Sequence, residues 1–168
     1  MRLKEIDKRL YRNHLRVVFV GMALALIVIS ISTSALLIYL FSRPEVTHFL
    51  HNLAGVAIAG IIVFVVLNKI RQHPYMVEVV YVWDLKQQLN RINRKLRKIE
   101  VAAESNDNDA MVIMNFLYRG SKQLYELDGN TITMGSLIKQ INVLDQRMQD
   151  LGLSLSTSAY DPVMLDQF

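Results

Sequence analysis

The sequence predicts an all-α membrane protein: a two-helix transmembrane hairpin followed by a cytoplasmic antiparallel three-helix bundle. Residues 17–41 and 49–67 contain no Asp, Glu, Lys or Arg and are separated by only seven residues. Beyond them, three segments repeat apolar residues at intervals of three and four, the spacing of one helix face. Lys and Arg crowd the outer flank of each apolar run, as cytoplasmic flanks do.

The hairpin occupies 17–67. A hydrocarbon core of about 30 Å takes about 20 helical residues, so the first run spans with tilt and the second just fits. Residues 1–16 hold six Lys/Arg against Glu5 and Asp7, and residues 69–98 hold eight against Glu78 and Asp84. Both termini are therefore expected in the cytoplasm. A cleaved signal peptide is the rival, but the first run is too long for one and a second follows almost at once.

Residues 1–16 place Leu3, Ile6 and Leu10 at helical spacing between charges, predicting a cytoplasmic amphipathic helix continuous with the first span and starting near residue 3. It either lies on anionic lipid or packs on the protein itself. Equal distances from the span ends favour a stalk in which Leu3, Ile6 and Leu10 meet Val77, Val80 or Tyr81. Within the spans, Ser30, Ser32, Thr33 and Ser34 return hydrogen bonds to their own helix, while Gly55 and Ala59 form a small-xxx-small pair for close approach. Folding about the midpoint sets Ser30 opposite Ala57 and Ser34 opposite Leu53. No ionisable residue lies mid-span, which argues against a channel or transporter.

The connection brings Glu45, His48 and His51 to one membrane surface, the sole candidate metal ligands. Pro44 at a helix start and a carboxylate near the positive helix end account for the same pattern structurally, and no metal or other cofactor is expected.

His73-Pro74 predicts a kink or fresh start, and a long helix over 75–104. Its first residues, YMVEVVYVW, are valine-rich enough for a strand, but partner strands are lacking. Val82, Leu85, Leu89, Ile92, Leu96, Ile99 and Ala103 form its coiled-coil-type stripe. Val77, Val80, Tyr81 and Trp83 at its apolar start, and Arg91, Arg94 and Lys98 in its basic cluster, are the candidate interaction residues. The cluster also invites a nucleic-acid reading, which the missing aromatics and an acidic last third oppose. Residues 104–109, ESNDND, are a capping turn without the central glycine and final glutamate of a calcium loop. Two shorter helices follow, over 109–127 and 134–151, with Gly120 allowing a close crossing and Gly152 a cap. They complete a bundle over 74–151; the tail, 152–168, is a docking peptide or loose.

HPYMVEVVYVWDLKQ (73–87), NRINRKLRKIE (90–100) and NFLYRGSKQLYELDGNTIT (115–133), with the hairpin before them, resemble a domain-of-unknown-function family of small two-span bacterial inner-membrane proteins. The resemblance implies a bacterial inner (plasma) membrane location and no activity.

An enzyme is not expected. The four histidines, at 14, 48, 51 and 73, all lie near the apolar runs, there is no cysteine, and the seven glycines form no phosphate loop. The function expected is a membrane-anchored protein-protein interaction module, as accessory subunit, assembly factor or scaffold. Its partners are the lipid bilayer and a protein or a second copy. The alternatives are a transmembrane sensor or adaptor and, behind it, a membrane-bound enzyme.

Overall fold

A computed structural model describes residues 2–41, 47–130 and 132–168. Among them the regular structure is helical throughout: α1 (Lys8–Phe41), α2 (Phe49–Ile70), α3 (Val77–Asn93), α4 (Leu96–Glu104), α5 (Asn108–Asp128) and α6 (Met134–Asp150), with 3-10 turns at Pro74–Met76, Thr157–Ala159 and Pro162–Gln167. The expectations for Pro44 and Glu45 fall outside the described residues. Two compact units result: Arg9–Val80, and Met1–Lys8 together with Tyr81–Phe168.

In the first unit, α1 and α2 are both long and apolar enough to cross a membrane. They touch along Gly55, Ala59 and Val63, buried at four-residue intervals on α2. Gly55 is the point of closest approach. A Cβ there would lie 2.1 Å from Ser34 Oγ, 2.9 Å from Ser34 N and 3.0 Å from Ser30 O, so the two backbones nearly meet. Ser34, buried, donates from its Oγ to the Asn52 carbonyl at 3.4 Å. Gly55 thus faces the stretch between Ser30 and Ser34, the register expected from the midpoint. After α2 the chain turns, and His73 accepts the Tyr75 N–H on its Nδ1 at 3.2 Å ahead of Pro74, the fresh start expected there.

In the second unit the long helix predicted over 75–104 is instead two. A tight turn at Arg94–Lys95 ends α3 and starts α4, with Lys95 at φ −113° and ψ 5°. Neither Gly nor Pro marks the break. The stripe survives it: Val82, Leu85, Leu89, Ile92, Ile99 and Ala103 are buried, while Leu96, at the turn, is only half-buried. Residues 105–107 form the expected turn, and the Asp107 carboxylate accepts the Ala110 N–H at 2.8 Å to cap α5. Gly129, at φ 73°, ends α5 in the left-handed region that glycine tolerates. Gly120 lets α5 cross α3 closely, since a Cβ would sit 3.0 Å from Leu89. Helix α6 is tied to α5 by Arg119, whose guanidinium donates to both Asp145 oxygens at 2.8 Å.

The N-terminal residues and the tail complete this unit. Residues 2–7 precede α1 without helical structure, so the helix begins at Lys8 rather than near residue 3. Gly152 (φ 68°) turns the chain out of α6, and the tail docks rather than hanging loose: Tyr160 and Leu165 are 3% and 2% exposed. Tyr160 stacks on Phe116 with ring centroids 4.2 Å apart.

Candidate interaction surface

Helix α3 presents two opposite faces because apolar and charged residues alternate at helical spacing along it. Leu85, Leu89 and Ile92 turn inward. Trp83, Gln87, Arg91 and Arg94, at intervals of four, four and three, form the opposite stripe and are all exposed. Trp83 is 60% exposed, which leaves a large indole with most of its area unburied and two guanidinium groups further along the same stripe. Such a combination suits a protein partner, since Trp and Arg dominate binding energy at interfaces.

The other candidate residues are distributed differently. Val77 is exposed and Val80 half-buried on the part of α3 belonging to Arg9–Val80. Tyr81 points inward. Its hydroxyl accepts the Lys4 N–H at 2.8 Å and donates to Gln123 Oε1 at 2.9 Å, while Gln123 Nε2 donates to the Lys4 carbonyl, closing a ring of three residues. Half-buried Leu3 and Ile6 flank this ring in the chain. In the other unit, His14 Nδ1 lies 3.2 Å from Glu78 Oε2, and its ring packs on Tyr75 with centroids 3.8 Å apart and planes tilted by 33°. Within each unit these are polar and aromatic contacts, which apolar periodicity does not report. Leu10 stays 43% exposed.

Lys98 serves the tail. Its Nζ donates to the Phe168 carbonyl at 2.6 Å, as Lys95 Nζ does to the Leu165 carbonyl. Asn115 Nδ2 donates to the Leu155 carbonyl at 3.0 Å, and Gln88 Nε2 to the Tyr160 hydroxyl. Part of the basic cluster therefore pairs with main-chain oxygens of the tail, leaving Arg91 and Arg94 on the outer stripe. The sequence signal for this was slight: scattered apolar residues, Tyr160 and three leucines among them, without helical spacing.

At the other end of the hairpin, the rings of His48 and His51 sit 6.2 Å apart edge to face, and His51 Nδ1 is buried without a hydrogen-bond partner. Among the described residues no three His, Cys, Asp or Glu side chains gather as a metal site, and Glu45 lies outside them.

Burial raises the phenol pKa of Tyr81, Tyr118 and Tyr160 above the ordinary 10.0. For Tyr118 the Glu100 charge adds to burial; for Tyr81 and Tyr160 hydrogen bonds offset it in part. Folded values above the unfolded one contribute stability that is intact below pH 10 and lost as pH rises through them. In detergent-solubilised protein, phenolate absorbance of these tyrosines should therefore appear together with loss of helical ellipticity above pH 10. Full tyrosine titration at the ordinary value with unchanged ellipticity would contradict this.

Residues 1–165 match the family described as "Protein of unknown function (DUF3087)", and the chain belongs to that family. No curated protein and no solved structure matches it.

Proposed function

We propose that this family member is a membrane-anchored interaction module of the bacterial plasma membrane. In this reading α1 and α2 cross the bilayer as a hairpin, both termini lie in the cytoplasm, and the helical unit is an antiparallel bundle that offers the outer stripe of α3 to a protein partner. The observation that carries the anchor is the uncovered apolar surface of the two helices: Phe19, Ile31, Phe49 and Phe64 are each about two-thirds exposed, whereas the core helix of a soluble protein buries such residues. The Lys/Arg excess beside both outer ends supports the orientation. The exposed Trp83 supports the partner.

Two measurements test this. A phosphatase fused after residue 168 should be inactive in intact cells, with activity only when fused between the spans; the reverse pattern overturns the orientation. Gentle detergent purification should recover a stoichiometric protein partner from the native membrane. Trp83→Ser, at an exposed position, should lose that partner without lowering the melting temperature, by roughly the 2 kcal/mol or more of an interface hot spot. Unchanged recovery removes Trp83 from the interface.

A further inference from the structure

The α1–α2 contact is tight at Gly55 but opens towards the chain's cationic flanks. Between the two helices lies a cleft of about 220 Å³, lined only by apolar residues, among them Val18, Gly21, Ala25, Val63, Val66 and Leu67. Its lining on α1 runs from Val17 to Ile29, about 18 Å at 1.5 Å per residue. A helix about 10 Å across would fill on the order of 1,400 Å³ over that length, several times the cleft, which suits a single polymethylene chain instead.

The end of the cleft is marked by charge. Val17 and Ile70 line it there, and Arg16 immediately precedes the first while Lys69 immediately precedes the second; both are exposed, with exposed Arg12 one turn further along α1. Glu78 is the one described acidic residue between Arg9 and Val80, and His14 faces it at 3.2 Å. An apolar slot with uncompensated cations at its mouth matches an amphiphile with an anionic head. We propose that the cleft binds one acyl chain of an anionic phospholipid, with the lipid phosphate held by Arg16 and Lys69. This rests on the membrane reading given above.

Two glycines make the idea testable. A Cβ added at Gly21, which lines the cleft, or at Gly60, which does not, would meet nothing within 4 Å, so leucine is accommodated at either position. Only at Gly21 does it fill the slot. Full-length protein in mild detergent, incubated with phosphatidylglycerol or phosphatidylcholine and weighed by native mass spectrometry, should retain one phosphatidylglycerol per chain. Gly60→Leu should behave as the unaltered protein. Gly21→Leu should weaken retention about tenfold, the effect of roughly two displaced methylenes. Arg16→Gln with Lys69→Gln should reduce the preference for phosphatidylglycerol about thirtyfold, two cations near an anionic head group. Equal retention by Gly21→Leu and Gly60→Leu, or of the two lipids by the unaltered protein, overturns the site. Release of the chain from membranes by alkaline carbonate would instead overturn the membrane reading on which it stands. A chain that resists carbonate but retains no phosphatidylglycerol overturns the lipid site alone.

Discussion

Gly55→Leu is expected to split α1 from α2. The added Cβ would come within 2.9 Å of the Ser34 nitrogen and 3.0 Å of the Ser30 carbonyl, atoms of a backbone that no rotamer change can move, besides colliding with Ser34 Oγ. Overpacking costs about 1–3 kcal/mol when side chains yield, and more where backbone must shift. Helices in lipid gain no hydrophobic drive to stay together, so close packing is most of what holds the pair. The melting transition of the hairpin in detergent should fall sharply or vanish, while Gly60→Leu, with nothing within 4 Å of its new Cβ, should melt as the parent does. Equal behaviour of the two variants would show that the helices do not cross at Gly55.

Ile92→Asp should unfold the helical unit. Ile92 is fully buried on the core stripe of α3, and a carboxylate there has neither water nor a cation to receive it. The penalty exceeds about 4 kcal/mol, against a total stability of about 5–15 kcal/mol for a domain of ordinary size. Leu96→Asp should cost much less, about 1–2 kcal/mol, because Leu96 sits half-buried at the turn between α3 and α4. Helical ellipticity and protease resistance of the two variants decide the point; equal damage would mean that Leu96 is as deeply buried as Ile92.

That contrast shows where sequence reasoning reaches. Spacings of three and four identified the buried stripe on either side of Leu96, because burial follows from periodicity whether or not the helix is continuous. The break itself carries no Gly or Pro, so local chemistry did not announce it. Caps were legible where a side chain makes them, as at Asp107, and where glycine takes a left-handed turn, as at Gly152. Register in the hairpin was legible too, since a short connection fixes which residues face each other. Long-range polar pairing was not. The ring of Lys4, Tyr81 and Gln123, and the lysines that hold the tail, join residues through main-chain groups, which every position possesses and no spacing reveals. Of the candidate interaction residues, Trp83, Arg91 and Arg94 occupy one exposed stripe, whereas Tyr81 and Lys98 are engaged within the chain.

These long pairings also set a clock for biosynthesis. Gln88 meets Tyr160 across 72 positions, and Lys4 meets Gln123 across 119. At about 5–20 residues per second, a ribosome takes about 4–14 s to deliver Tyr160 after Gln88 and about 6–24 s to deliver Gln123 after Lys4. Phe116 itself waits 44 positions, about 2–9 s, for the Tyr160 ring that covers it, and until Gln123 is made the first residues have nothing to hold. A nascent chain of this kind offers its apolar groove to chaperones, and to neighbouring chains, for longer than a bundle closed by local contacts alone.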